Sequence, residues 1–262
     1  MICINNIYSD PYFNIAAEEY LFRKFASPVF MLWQNDPSVI IGRHQNLASE
    51  SDPDFISLKK IKYVRRFSGG GAVYQDSGNI NLTFVRYDGN TDFNFYVGEI
   101  SRFLSRIGIE THSDNRNSLY IANKKISGCA QYIRGNRVLF HATLLFSADL
   151  NNLKSALNGK SSEPSDTGHM DSMVFVKSVR SPVTNISYHL TKQFSIETFK
   201  KLLFDHFFSL DTASNVYSFS QDDISCINEL VESKYSTSDW NIRALSHGNK
   251  NRRKKFQELM FV

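Results

Sequence analysis

Apolar residues recur at helical spacing in several segments of the chain, and each such segment predicts an amphipathic helix. The first segment is Asp10–Phe25, with Asn14 in the position of an N-cap. The second runs from about Asn94 to Ile107, and Gly108 can adopt the left-handed conformation that often ends a helix. Two more helices are predicted further along, over Ser195–Phe208 and Asp222–Tyr235.

Shorter apolar runs predict strands. Val29–Trp33 and Val39–Ile41 are separated by the turn residues QNDPS, and INLTFV from Ile80 alternates apolar and polar residues, as a half-buried strand does. Ser161–Met170 lacks apolar periodicity and predicts a surface loop. Two hairpins are predicted as well, in Leu119–Gly128 and, turning at Gly135-Asn136, in Tyr132–Phe146. Sheet hairpins with flanking helices indicate an α+β fold.

Composition narrows the class of protein. The 262 residues are 42% hydrophobic and 21% charged, which is typical of a globular protein. The net charge of +4 suits an anionic substrate or an acidic protein partner, but it falls short of the basic surface expected for nucleic-acid binding. The three cysteines are far apart, the N-terminus does not resemble a signal peptide, and no apolar run approaches the ~18 residues of a membrane span. We therefore expect a cytoplasmic protein.

The segment RRFSGGGAVYQDSGN, which starts at Arg65, is the first candidate site. Consecutive glycines let backbone N–H groups approach a ligand closely and can cradle an anion. Neither a phosphate-binding GK[ST] sequence nor a GxGxxG fingerprint is present, so a flexible hairpin loop is the alternative. Alternation along the preceding strand points only one of Arg65 and Arg66 toward a given face, so one of them is expected to bind a ligand and the other to be structural.

Two further candidates lie downstream. Lys124 and Lys125 stand at the turn of the first hairpin, where a lysine could hold a carboxylate or a phosphate, although such pairs are often solvated. His141 lies in an apolar strand, where a histidine is more often a core residue than a catalytic one.

Together these segments resemble the lipoate-protein ligase A family, over roughly Tyr8 to Asn241. The resemblance is carried in order by YSDPYFNIAAEEYLFR, FMLWQNDPSVIIGRHQN, RRFSGGGAVYQDSGNINLTF, RNSLYIANKKISGCAQ, FHATLLFSADL, SVRSPVTNIS and KYSTSDWN. It implies a biotin/lipoate ligase-like fold, with a larger and a smaller mixed β-sheet around a bifurcated pocket. It also implies that ATP and Mg²⁺ activate lipoate or octanoate to an acyl-adenylate, and that the acyl group passes to a lysine of a lipoyl domain.

By motif position the resemblance also implies roles for individual residues. Lys125 would be catalytic, Arg65 would be structural, and Lys124 stands where the family varies. Nucleotide-binding residues would be Arg66, Gly71, Ala72, Val73, Tyr74, Asn79 and Lys125. Lipoate-binding residues would be Trp33, Gly42, Arg43, His44, Arg66, Ser68, Gly70, Gly71, Lys125 and His141. Metal ligands are not implied, and the acceptors would be lipoyl domains of 2-oxoacid dehydrogenase E2 subunits or the glycine cleavage H protein.

The sequence departs from the family pattern at several positions. Gln75, Ser118 and Ala142 replace the usual His, Asp and Gly, and the loss of a carboxylate at Ser118 removes a potential magnesium contact. We expect a catalytic domain over residues 1–243, followed by a basic tail over 244–262 in place of the family's accessory domain. A separately encoded accessory subunit would then be a partner.

Three other functions stay open at this point. A lipoyl or octanoyl transferase could use a preformed activated donor, and an octanoyltransferase could act through a thioester on Cys129. A biotin ligase is disfavoured by RRFSGGG and KISG. A non-catalytic lipoate-binding protein would have kept the pocket and lost turnover.

Overall fold

The computed structural model describes residues 1–159 and 175–243. The predicted loop Ser161–Met170 and the basic tail 244–262 lie outside these ranges. The helices are α1 (Pro11–Lys24), α2 (Leu47–Glu50), α3 (Pro53–Leu58), α4 (Asn94–Arg106), α5 (Leu150–Ala156), α6 (Ile196–Phe208) and α7 (Gln221–Leu230). A 3₁₀ turn covers Ile186–His189, and two π-helical turns cover Val231–Tyr235 and Asp239–Arg243. None of the helices in the described ranges is both long enough and apolar enough to span a bilayer.

Strands within the described ranges form one large sheet and two small ones. The large sheet has the order β10 (Cys129–Arg134), β11 (Arg137–Leu145), β6 (Asn79–Arg86), β2 (Val29–Trp33), β1 (Ile2–Asn5) and β12 (Asn215–Val216). One small sheet has the order β4 (Lys62–Arg65), β3 (Ser38–Ile41) and β5 (Val73–Gln75). The other consists of β7 (His112–Ser113), β8 (Leu119–Ile121) and β9 (Lys124–Ser127). The prediction of an α+β fold with a larger and a smaller mixed sheet is confirmed.

Both faces of the large sheet are covered. Phe30, Leu82 and Phe140 point to one face, where they form a core with α4 and α6. Met31 and Leu139 point to the other, where α1 and α7 pack. The alternation in β6 predicted that its polar residues would face solvent, and this is wrong. The polar residues Asn79, Asn81 and Thr83 are buried on the side of the sheet that α1 covers.

The start of α1 differs from the prediction. Its N-cap is Asp10, whose carboxylate accepts from the amides of Tyr12 and Phe13, while Pro11 occupies the first helical turn. The predicted cap, Asn14, is buried within the helix and bonds to Asn6, Asn35 and the carbonyls of Tyr8 and Gln34. Long-range contacts therefore decide its role.

Most of the other predicted elements are confirmed. Gly108 has a φ of 83° after α4, and the second hairpin turns at Gly135 with a φ of 55°. Ser195 caps α6, which ends at Phe208 as predicted. The last predicted helix is shorter than expected, because α7 ends at Leu230 and a π-helical turn follows it.

The glycine loop connects β4 to β5, but these strands do not pair with each other. Both pair with β3, β4 in parallel and β5 in antiparallel orientation. The loop therefore crosses over the end of β3 instead of closing a hairpin. This arrangement places the three glycines beside the polar side of the large sheet, where residues from both sheets border one cavity.

A segment that we call the C-terminal clamp, Val231–Arg243, packs against α1 and β4. Tyr235 is fully buried there, and its hydroxyl bonds to the carboxylate of Glu19. The Trp240 indole N–H donates to the carbonyl of Arg65 at 2.6 Å. The clamp therefore fixes the strand that leads into the glycine loop.

Candidate active site

Two cavities adjoin on the polar side of the large sheet, next to the glycine loop. Cavity 1 has a volume of about 510 Å³ and cavity 2 of about 350 Å³, which is within the usual range for small-molecule sites. The residues that border both are Ala72, Val73, Lys125, Gly128, Thr143, Ser178 and Val179. The two cavities therefore form one forked space.

The walls of the two cavities differ in character. Cavity 1 is bordered by several leucines and Tyr74, with Lys154 and Arg180 among its cations. Cavity 2 is bordered by Trp33, Ile15 and Ile40 on its apolar side. Its polar side has four cations and, among the described lining residues, no carboxylate; the cations are Arg66, Arg116, Lys125 and Lys177. An anionic ligand suits such walls.

Close packing holds the glycine loop in place. A Cβ on Gly42 would lie 2.1 Å from the carbonyl oxygen of Gly70, so only glycine fits at that position. Gly70 has a φ of 89°, which favours glycine as well. The Arg66 guanidinium donates to the carbonyls of Gly69 and Gly71, at 2.6 and 2.8 Å from Nη2. It is 4% exposed, and burial lowers its pKa to about 10. Arg66 thus both shapes the loop and borders cavity 2.

The neighbouring Arg65 is structural. It is 1% exposed, and its guanidinium donates only to backbone carbonyls. Two of the carbonyls belong to the clamp residues Trp240 and Asn241, and three belong to the segment after β3. Arg66 borders cavity 2 and Arg65 does not, and the prediction that only one of the two arginines binds a ligand stays a prediction.

Lys125 lies at the fork, since it borders both cavities. It is the second residue of β9, the return strand of the β8–β9 hairpin, and its backbone bonds to Pro182 and Thr184. Burial lowers the pKa of its half-buried ammonium, and the nearby Asp114 opposes that shift. Its ammonium makes no ion pair with the described residues. Lys124, by contrast, is exposed and borders neither cavity.

His141 lies on β11 and borders cavity 2. Its Nε2 is 3.2 Å from the Ser68 hydroxyl, and its Nδ1 is 2.9 Å from a carboxylate oxygen of Glu18. The strand register places it opposite Thr83 of β6, whose hydroxyl donates to the same Glu18 oxygen. Both ring nitrogens thus have protein partners, and it is the position of His141 on the border of cavity 2 that distinguishes it from an ordinary core histidine.

The structure brings most of the predicted site residues to the cavities. Trp33, Arg66, Gly70, Gly71, Ala72, Val73, Tyr74, Lys125 and His141 all border one or both. The other predicted residues border neither cavity, and they are Gly42, Arg43, His44, Ser68 and Asn79. Of these, Ser68 is fully buried and Asn79 donates to Asn81, which does border cavity 2.

Several site residues were not predicted from the sequence. Glu18 lies in the middle of α1, in a run that looks like an exposed polar face. Ser178 stands in the segment SVRSPVTNIS, but it was not predicted as a site residue. Its hydroxyl accepts from the amide of Ala72 at 2.8 Å, and its own amide donates to the carboxylate of Glu50. One of the loop amides expected to meet a ligand is thus already occupied by a protein hydroxyl.

Asp114 supplies a carboxylate beside Lys125 even though position 118 is a serine. Burial opposes its ionisation, but hydrogen bonds from the amides of Ser118 and Arg116 and from the Tyr120 hydroxyl outweigh it and lower its pKa. In the described residues, no group of three or more His, Cys, Asp or Glu side chains converges to hold a metal ion.

Cys129 borders cavity 2 but is a poor candidate for a nucleophile. Burial raises the pKa of its thiol to about 11, although Lys125 opposes the shift. The reactive form of cysteine is the thiolate, so this shift makes Cys129 less reactive near neutral pH, which disfavours a thioester mechanism.

The fold and the forked cationic cavity define a protein of the biotin/lipoate ligase-like class. Residues 10–208 match the family "Lipoyl protein ligase A/B catalytic domain". The chain belongs to this family, and its enzyme class is lipoate-protein ligase.

Individual relatives agree with this assignment. The chain is similar to "Lipoate--protein ligase 1" of Staphylococcus aureus, with 34% identity over 259 residues that cover 97% of the chain and 76% of the relative. It also resembles the crystal structure of a lipoate-protein ligase A bound with ATP, with a TM-score of 0.73, 25% identity and coverage of 91% and 97%. A bi-partite lipoate protein ligase of Thermoplasma acidophilum, studied with its E2 lipoyl domain, gives a TM-score of 0.73, 25% identity and coverage of 92% and 94%.

Proposed function

We propose that cavity 2 binds lipoate, that cavity 1 binds ATP, and that Lys125 holds the two reacting groups together at the fork. The observation that carries this proposal is the position of Lys125 on the border of both cavities. The predicted lipoate-binding residues that reach a cavity all border cavity 2, and Tyr74, predicted to bind nucleotide, borders cavity 1.

The walls of cavity 2 suit an eight-carbon acid. Trp33, Ile15 and Ile40 offer an apolar surface, which contributes about 0.8 kcal/mol for each buried CH₂ group. The cations at the glycine loop and at Lys125 would then meet the carboxylate. This surface favours a long acyl chain over a short one, and both lipoate and octanoate are long enough.

The first reaction brings two anions together. The lipoate carboxylate oxygen attacks the α-phosphorus of ATP, an O–P bond forms, and pyrophosphate leaves with the electrons of the broken bond. Charge builds on the phosphoryl oxygens in the transition state, and fixed cations near them lower the barrier. Lys125 is placed for this task because it borders both cavities and its ammonium forms no ion pair with the described residues, although Asp114 is near enough to oppose the fall in its pKa.

The second reaction moves the acyl group to a protein. We assign the acceptor to a lysine of a lipoyl domain from a 2-oxoacid dehydrogenase E2 subunit or from the glycine cleavage H protein. The Thermoplasma ligase studied with its E2 lipoyl domain supports this class of partner. The acyl-adenylate is already an activated donor, so the transfer needs no covalent intermediate on the enzyme.

Mg²⁺ would arrive with the nucleotide. Because the described residues do not form a protein cage for a metal, the ion would be held mainly by the ATP phosphates, as is usual for Mg²⁺. Asp114 is the carboxylate whose charge raises the pKa of Lys125, and none of the steps above depends on it.

Pyrophosphate release with ATP, Mg²⁺ and lipoate tests the first reaction. Mass analysis of an added lipoyl domain then tests the second, with a gain of one lipoyl group expected. A chain that modifies the domain from preformed lipoyl-adenylate, but releases no pyrophosphate, would instead be a transferase. Lipoate binding with neither reaction would indicate a non-catalytic protein.

A further inference from the structure

We infer that His141 is the base that accepts a proton from the acceptor lysine during acyl transfer, and that Glu18 is its positioning residue. This inference rests on the proposed function, since it concerns the second of the two reactions. It assigns a role to Glu18, and it gives His141 a role beyond that of lining the acyl site.

The direction of the hydrogen bonds selects one tautomer of the neutral imidazole. The indole N–H of Trp33 can only donate, so at 2.8 Å it makes the Thr83 hydroxyl an acceptor there and leaves the hydroxyl hydrogen for Glu18, at 2.7 Å. Glu18 Oε1 is therefore an acceptor, and Nδ1 of His141 donates to it.

The other end of the chain of hydrogen bonds leads to the same tautomer. Nε of Arg66 can only donate, and it donates to the Ser68 hydroxyl oxygen at 3.1 Å. The Ser68 hydrogen is then free for Nε2 of His141, so in the neutral imidazole the proton is on Nδ1 and the basic nitrogen is Nε2. The groups facing His141 in this network are thus Glu18 from α1 and Ser68, backed by Arg66, with Lys125 on the same cavity.

Glu18 is unusual among the buried groups of the protein. It is fully buried, and its second carboxylate oxygen, Oε2, has no hydrogen-bond partner. A buried acceptor without a partner is costly, so a protein rarely keeps one without a functional reason. A carboxylate behind an imidazole stabilises the imidazolium that forms when the imidazole takes a proton.

The chemistry of transfer requires such a base. The acceptor amine attacks the acyl carbon, a C–N bond forms, and the bond between acyl carbon and phosphate oxygen breaks with its electrons going to AMP. A lysine arrives near neutral pH as an ammonium, so its nitrogen loses one proton before it attacks and a second as the amide forms. Nε2 of His141 accepts the first proton, and the second passes to solvent. His141 borders cavity 2, whereas Ser68 borders neither cavity, so the histidine is the member of this network that a substrate can reach.

The test separates the two reactions in the intact chain. Glu18→Gln keeps the size of the side chain and an oxygen for Nδ1–H, but it removes the charge. Single-turnover transfer from preformed lipoyl-adenylate to a lipoyl domain should slow by about 10²-fold, as is usual when general-base catalysis is lost. Pyrophosphate release should fall by much less.

A matched control exists on the opposite face of the large sheet. Glu99 is also buried and also contacts a histidine, His206, at 3.1 Å, but it borders neither cavity. Glu99→Gln should leave the ratio of transfer to pyrophosphate release at the wild-type value. The double variant of Glu18→Gln and His141→Gln should transfer no more slowly than His141→Gln alone, because Glu18 acts through His141.

The pH dependence gives a readout that a purely structural role would not change. A lysine amine with an ordinary pKa of about 10.4 is increasingly neutral between about pH 7 and about pH 9, so the deficit of Glu18→Gln should shrink over that range. Wild-type transfer by Glu18→Gln, or equal and pH-independent losses in both reactions, would overturn the inference. A wild-type chain that transfers but releases no pyrophosphate would refute only the proposed activation step, and one that does not transfer would refute both.

Discussion

The cavity wall and the C-terminal clamp draw on the same two stretches of chain and use them in opposite ways. In α1, Glu18 faces the cavity side while Glu19 faces the clamp. At the end of β4, Arg66 borders cavity 2 while Arg65 bonds to clamp carbonyls. Each pair of neighbours has the same charge and is buried.

The difference between the two regions lies in how completely each charge is satisfied. In the clamp, the Glu19 carboxylate pairs with Arg23, Lys234 and Tyr235, and Arg65 has carbonyl partners for its guanidinium. On the cavity side, one oxygen of Glu18 has no partner, and the Lys125 ammonium has no described ion pair. Arg66 is an exception on the cavity side, because its guanidinium donates to Ser68 and to the carbonyls of the glycine loop. The contrast therefore concerns Glu18 and Lys125, which keep capacity for a ligand or a proton under the proposed function.

The largest expected effect comes from substitution of Lys125, which should separate cavity-side groups from clamp groups most clearly. Lys125→Ala should lower the rate of pyrophosphate release by about 10²–10³-fold, as is typical when one preorganised charge is lost. Its melting temperature should stay near that of the wild type. Lys124→Ala is the matched control, because the neighbouring side chain is exposed and should leave the rate unchanged. Near-normal turnover by folded Lys125→Ala protein would contradict the assignment.

Arg65→Lys should affect stability instead of chemistry. Lysine cannot reach the same set of carbonyls, and each buried group left unpaired costs about 1–3 kcal/mol, so we expect a loss of about 4 kcal/mol in the free energy of unfolding. Urea unfolding would measure it. Turnover per folded molecule should hold, and a stable but inactive Arg65→Lys protein would break the comparison.

Glu19→Gln should test the contribution of the clamp to stability through the pH dependence of the free energy of unfolding. Burial opposes ionisation of Glu19, but the charges of Lys234 and Arg23 outweigh it and hold its pKa below the ordinary value. A lowered folded-state pKa gives stability that is present above the unfolded value of about 4.3 and is lost as the pH falls through the folded value. Glu19→Gln should lose about 3 kcal/mol at neutral pH, because it leaves Lys234 without its buried partner.

Unfolding of the two proteins at several pH values would check this. The wild type should lose stability on acidification toward and below about pH 4, and the curve of the variant should be flatter there. Parallel curves for the two proteins would remove Glu19 from the explanation of acid sensitivity.

Gly42→Ala should give the smallest effect, of about 2 kcal/mol, since overpacking usually costs about 1–3 kcal/mol. The added Cβ would meet the Gly70 carbonyl and displace the glycine loop, so KM values for the substrates should rise. Gly69→Ala is the control, because a Cβ there meets nothing within 4 Å. Equal KM values for the two variants would show that the loop position is not set by Gly42.

The sequence predicted features that local signals determine. Gly135-Asn136 identified the hairpin of β10 and β11, because a glycine can adopt the left-handed conformation that a tight turn between two strands requires. Amphipathic spacing and Gly108 identified α4 in the same way. The motifs around Lys125 and Arg66 led to residues that do border the cavities.

Features that depend on long-range contacts were not predicted. Asn14 looked like a cap, but its amide is used to join α1 to residues after β2. The polar residues of β6 looked solvent-exposed, because the alternation of a strand does not reveal what covers its polar face. Glu18 could be recognised only once the register of β11 with β6 had placed His141 and Thr83 together.

The forked shape of the site affects how a reactive intermediate is kept. A lipoyl-adenylate that fills both branches is held at two ends, so one end can loosen while the other keeps the molecule from diffusing away. Under the proposed function, escape would require both ends to release at once, so the enzyme would retain the intermediate until an acceptor arrives.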